Sequence, residues 1–158
     1  IGDVRGDVID ISLTHIYLKE VGGLVGGEEN SGRVIMVPNS TMFEKNIINY
    51  TLENEYVLDK VSLSVTYESD LDKAMKIVKD SAIECTKDFT NEIGKDPVLR
   101  IFFQPNGVDI QVRYFSPTRR LQEVSSKITK EIFDVITKTK GIRIAYPHTE
   151  IIYRNKLK

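Results

Sequence analysis

The sequence predicts an α+β fold, with a small all-β unit over residues 1–57 and a ferredoxin-like split β-α-β-β-α-β unit over residues 58–158. Three observations carry that reading. Apolar residues alternate with Ser and Thr from Val61 to Tyr67, two later stretches repeat apolar residues at helical spacing, and Asn106-Gly107 separates two strand patterns.

In the second unit, Val61, Leu63, Val65 and Tyr67 define a strand with one buried face. Ser69 as N-cap, with Asp72 three residues on, forms a capping-box pattern. Leu71, Ala74, Met75, Val78, Ala82, Cys85 and Phe89 then trace the apolar face of a helix. Val98 to Phe103 and Val108 to Phe115 flank Pro105-Asn106-Gly107 and predict a hairpin, with Val108, Ile110, Val112 and Tyr114 on one face. Ser116-Pro117 predicts the start of a second helix, an N-cap followed by proline at the first helical position. Its apolar face is Leu121, Val124, Ile128, Ile132, Val135 and Ile136, and Gly141 supplies the stop. Ile142 to Tyr153 gives the last strand, which Pro147 restricts to an edge or bulged position. Two helices would thus cover one face of a four-stranded antiparallel sheet.

The first unit is less regular. Val4, Val8, Ile9, Ile11, Leu13, Ile16 and Leu18 alternate imperfectly and predict strands. Val34 to Val37 predicts a buried strand that ends in a turn at Pro38-Asn39. Between them, Val21 to Arg33 holds five glycines around Glu28-Glu29-Asn30-Ser31, the composition of a hairpin with a polar tip. Ile47 to Thr51 predicts one more short strand.

Charge divides the same way. Residues 1–58 carry 4 Lys+Arg against 9 Asp+Glu, whereas residues 59–158 carry 18 against 14, so the two parts have different surroundings. The whole chain is near neutral at −1, which gives no global pull towards nucleic acid or an anionic membrane. One cysteine excludes an intrachain disulfide and a cysteine-based zinc site. No run of about 20 apolar residues is present to span a bilayer. The chain opens Ile1-Gly2-Asp3 without an initiator Met, and the expectation is a piece of something longer.

The residues that carry chemistry elsewhere are isolated here. His15 and His148 have no carboxylate or cysteine at ligand spacing. Cys85 lies on an apolar helix face and reads as a small core residue. The glycines at 22, 23, 26 and 27 match neither a dinucleotide nor a P-loop fingerprint. Asp70 and Asp72 fall in a first helical turn, where they complement the helix dipole. Arg119-Arg120 opposes that preference, and is read as a solvated face or a site for an anion or an acidic neighbour. The expectation is no enzyme, no catalytic or metal residue and no cofactor. RNA binding would need aromatics on the open sheet face, yet Tyr114 has the parity of the core side and the RNP glycines are lacking.

Several segments resemble, in order, the small-conductance mechanosensitive (MscS) channel family. Gly6-Asp7-Val8-Ile9-Asp10-Ile11 is similar to the family's segment just after the pore helix, and Arg33 to Ser40 to its strand ending in Ile/Val-Pro-Asn. Asn46 to Thr51 resembles its next strand, Val65 to Asp70 its Val-x-Tyr-x-Ser/Thr-Asp, and Gly141 to Pro147 its Gly-Ile-x-x-x-Tyr/Phe-Pro. The motif positions are Gly6, Pro38, Asn39, Asn46, Asn49, Tyr67, Asp70 and Pro147. The resemblance implies the cytoplasmic cage of a channel subunit, with an Sm-like β domain that forms a ring with its neighbours. It further implies a homo-oligomer, a heptamer, held at the cell membrane by N-terminal helices not seen in this chain. Inorganic ions and small solutes would pass through side openings, where Lys60 is the candidate charge, and no nucleic acid would bind. The rival is a soluble Sm-like and ferredoxin-like RNA-binding or regulatory module.

Overall fold

The computed structural model describes residues 4–24, 26–52 and 55–147. The chain separates into two compact units, residues 1–59 with 115–126, and residues 60–114 with 127–158.

The first unit holds an antiparallel sheet of strands β1 (Gly6–Ile11), β2 (His15–Val21) and β3 (Asn30–Pro38), in the order β1-β2-β3. Ile16 and Leu18 of β2 and Val37 of β3 form its buried cluster, with Val4, Ile35 and Met42 packed against them. The expected burial of Val34 to Val37 is corrected: only Val37 is buried, and Val34 and Met36 are exposed. Alternation explains it, because only one face of this sheet is covered. A short helix α1 (Thr41–Glu44) follows β3. The strand expected over 47–51 does not form; residues 46–52 are exposed outside any strand. None of the described strands takes this β-prone segment as a partner, so its propensity alone does not make it a strand.

The second unit centres on a sheet of β4 (Tyr56–Val65), β5 (Val98–Gln104) and β6 (Gly107–Pro117), ordered β4-β6-β5. Val65 bridges Ile144, so the return segment lies beside the first strand of the unit, as the ferredoxin-like order requires. This return is a single bridge rather than the full fourth strand expected, and residues 148–153 of that expectation lie outside the described residues. β5 and β6 pair in the register Gln104↔Gly107 to Val98↔Arg113, so Pro105-Asn106 makes a two-residue turn. Gly107 is required by crowding: a Cβ there would strike the carbonyl oxygen of Val65.

Helix α2 (Leu71–Ile93) buries Ala74, Val78, Ala82, Cys85 and Phe89, the face its spacing predicts. Its N-cap is Asp70, whose carboxylate accepts from the Lys73 N–H at 3.1 Å, and not Ser69. Ser69 instead binds the return segment, as described below. Helix α3 (Leu121–Ile136) buries Val124, Ile128, Ile132 and Ile136. It does not start at Ser116-Pro117. Those residues continue β6, and Ser116 is fully buried. The alternation that buries Tyr114 carries on through Ser116 and delays the helix to Leu121.

Candidate functional site

In the first unit the motif residues are structural anchors. Gly6 pairs with Glu20 across β1 and β2, where a Cβ would lie 2.6 Å from the Lys19 carbonyl oxygen. Asn39 fastens the β1–β2 turn: its Nδ2 donates to the carbonyls of Ser12 (3.1 Å) and Leu13 (3.0 Å), and its N–H to Thr14 (2.9 Å). Pro38, one residue earlier, pairs with His15 at the end of β3. Asn49 accepts from the Thr51 N–H at 3.0 Å, a local turn on the exposed segment that also carries Asn46.

Around these anchors the surface is apolar. Val8, Ile9 and Ile11 on β1, and Val34 and Met36 on β3, face solvent. Leu13 is 96% exposed and Phe43 91%, and Ile47, Ile48 and Leu52 continue the series along the strandless segment. Scattered apolar residues are ordinary on a surface, but a concentration of this kind on one small unit marks an interaction surface.

One charged group sits among them at an inward position. Glu20 follows Ile16 and Leu18 in parity and is only 7% exposed. A register shift opposite it brings two β3 residues within reach. Arg33 donates to the carboxylate from Nε and Nη2, both at 2.6 Å, and Ser31 Oγ donates at 2.5 Å. The Arg33 guanidinium, then Ser31, hold the Glu20 carboxyl below the usual carboxylate range, and Glu20 raises Arg33 in turn. The sequence held a signal for this cluster in a carboxylate on a core parity, which needs a partner when buried.

In the second unit two motifs meet. The Thr66 N–H donates to Arg143 O at 2.9 Å, Asp70 N–H to Gly141 O at 2.8 Å and Ala145 N–H to Ser64 O at 2.8 Å. Ser69 Oγ accepts from the Arg143 N–H at 3.0 Å. The segments Val65 to Asp70 and Gly141 to Pro147 are therefore one clasp, a relation that sequence spacing could not show. Tyr67 stacks on Phe103 and donates to the Gln104 carbonyl at 2.8 Å. Beside the clasp lies a shallow cleft of about 690 Å³, lined by Tyr67, Glu68, Asn106, Ile142, Arg143 and Tyr146 among others. Pro147 closes the described chain and is exposed, as is Lys60 on β4.

Burial pushes the Cys85 thiol up, which suppresses the thiolate. Among the described residues, no group of three or more His, Cys, Asp or Glu could hold a metal ion. No described helix is long and apolar enough to cross a membrane. Tyr114 is buried, and the alternate positions of β6 carry Asp109, a buried Gln111, Arg113 and Phe115.

A three-stranded sheet with exposed apolar side chains, followed by a well-packed ferredoxin-like unit, makes an α+β chain of two compact units. The family described as "Mechanosensitive ion channel MscS, C-terminal" matches residues 59–144, more than half of the chain. The chain belongs to the MscS family. It is similar to an uncharacterised MscS family protein of Buchnera aphidicola subsp. Acyrthosiphon pisum, 26% identical over 99% of this chain and 47% of that protein. A second relative, from Archaeoglobus fulgidus, is 24% identical over 100% of this chain and 51% of its own length. The chain thus spans about half the length of the curated relatives it matches. In fold it resembles the crystal structure of Helicobacter pylori MscS in the closed state, with TM-score 0.74 and 20% identity over 99% of this chain and 57% of that one. It also resembles the Arabidopsis thaliana MSL1 cryo-EM structure, with TM-score 0.60 and 16% identity over 93% of this chain and 50% of that one.

Proposed function

We propose that this chain is the cytoplasmic part of a mechanosensitive channel subunit, and that it assembles as a heptameric ring through its first unit. The carrying observation is the concentration of exposed apolar side chains on a sheet whose outer strands β1 and β3 have no further strand partner among the described residues. Open edges and uncovered apolar surface both call for partners, and neighbouring copies around a ring supply them. The motif positions Gly6, Pro38, Asn39 and Asn49 would then shape the strands and turns presented to a neighbour. Tyr67 and Asp70 would hold the second unit together, and Asn46 and Pro147 would lie on contacted surface.

The ring would form a cage that ions and small solutes enter through side openings before reaching a membrane pore built by another part of the protein. Native mass spectrometry of the full-length protein in detergent should give seven copies. A monomer under conditions that preserve the fold would overturn the assembly reading. Lys60, exposed on β4, is our candidate for a charge at the openings, where a ring of like charges concentrates counter-ions. The substitution Lys60→Glu in the full-length channel should move the reversal potential under a salt gradient towards cation preference. An unmoved potential rejects that role.

A further inference from the structure

The glycine-rich hairpin between β2 and β3 reaches the start of α3, within residues 115–126 that belong to the same compact unit as the hairpin. Gln122 donates its backbone N–H to a carboxylate oxygen of Glu28 at 3.1 Å, across 94 positions of sequence. Gln122 is the second residue of α3. The first helical bond runs from the Val124 N–H to the Arg120 carbonyl, so Arg120 holds the N-cap position. An arginine side chain cannot accept a hydrogen bond, and two adjacent arginines oppose the positive end of the helix dipole. Glu28 makes the bond that a local Ser, Thr or Asp would otherwise make.

The segment leading into α3 is held in the same manner. Arg119 Nη2 donates to Asp7 Oδ1 of β1 at 2.7 Å, and Arg5 Nη2 donates to the Thr118 carbonyl at 3.2 Å. The neutral contacts are those of Thr118, whose N–H and Oγ1 donate to the Glu55 carbonyl at 2.8 and 2.9 Å. The hairpin is itself closed at its base by the Gly22 N–H on the Glu29 carbonyl at 2.8 Å and braced by the Glu20, Ser31 and Arg33 cluster. The acidic excess of residues 1–58 therefore has a destination. Part of it neutralises the basic entry to α3.

We propose that the hairpin is an electrostatic latch, in which Glu28 caps α3 from a distance and, with Asp7, holds residues 118–122 by contacts that ionic strength weakens. Exposed charged contacts are screened as the Debye length falls from about 10 Å at 0.1 M salt to about 3 Å at 1 M. Contacts of this class are individually weak, which suits a latch that opens without unfolding the rest.

Hydrogen exchange of the full-length protein tests it. With Glu28→Ala, peptides covering 118–126 should exchange roughly two- to thirty-fold faster, the range that a lost N-cap represents. Peptides covering 74–89 of α2 should be unchanged. Glu28→Gln, which keeps an acceptor oxygen, should fall between wild type and Glu28→Ala, and Glu29→Ala should match wild type. Raising neutral salt should speed exchange at 118–126 in the wild type and do so less in Glu28→Ala. The proposal is overturned if Glu28→Ala matches wild type at 118–126, or if Glu29→Ala acts as strongly as Glu28→Ala. Were Glu28→Ala to lose protection throughout, the wild-type salt series would decide alone, and a flat response would overturn the latch.

Discussion

The two sheets differ in what covers them. The sheet of β4, β5 and β6 lies with a core in which Tyr114, Ile110, Ile128, Val65, Val78 and Val112 are fully buried. The sheet of β1, β2 and β3 buries Ile16, Leu18 and Val37 and leaves Val8, Ile9, Ile11, Val34 and Met36 in solvent. At about 1.5–3 kcal/mol for each large apolar side chain taken fully out of water, the second unit is built to stand by its own packing. The first holds itself with polar devices, the Asn39 clamp and the Glu20 cluster, and leaves much of its apolar surface exposed. The difference is what led us to propose the first unit, and not the second, as the part that meets neighbouring copies.

That comparison breaks most directly in the second core. Ile128→Ala should cost about 2–5 kcal/mol in denaturant unfolding, because a buried side chain is replaced by a cavity. A cost near zero would mean that the second unit is not packed as described. Asp70→Ala should cost about 1 kcal/mol through loss of the α2 cap, with Asp70→Asn recovering most of it, since Asn also caps well. Ser69→Ala would test the other side of that assignment by loosening the Gly141 to Ala145 clasp while α2 stays capped.

The Glu20 cluster predicts a pH dependence. Its folded carboxyl titrates below the ordinary glutamate value of 4.5, so the stability it contributes is present above that value. It is lost as pH falls through the lowered one. An acid titration of the first unit's unfolding should therefore lose part of its steepness below pH 4.5 in Glu20→Gln. An identical acid limb would remove the cluster as a source of stability. The smallest effect on the chain's own stability should come from Leu13→Ser, within about 0.5 kcal/mol, because the side chain is exposed. Its effect should fall on assembly instead, as a reduced heptamer fraction by native mass spectrometry. Unchanged assembly in a variant that combines it with Phe43→Ser would sharpen the search towards β1 and β3.

The second unit was legible because its order is written in local periodicity. Alternation at Val61 to Tyr67, the helical faces of α2 and α3 and the turn before Gly107 each need only neighbours in sequence to be recognised. Boundaries were less legible: Asp70, expected in the first turn, is the N-cap in place of Ser69, and Ser116-Pro117, expected to start a helix, ends a strand. Tertiary contacts chose in each case. Ser69 was taken by the backbone of Arg143, and the pairing of β6 outlasted Ser116.

Local pattern was enough for the α+β class and for the core faces of both helices. Period and composition are local properties, and they survive without knowledge of the fold. Folding settled that Val34 and Met36 face water, that Ile47 to Thr51 lies outside every described strand, and that Glu28 bonds the start of a helix 94 residues away. Those outcomes depend on which edges and faces are left over once the chain has folded, and no local pattern in the sequence records that remainder.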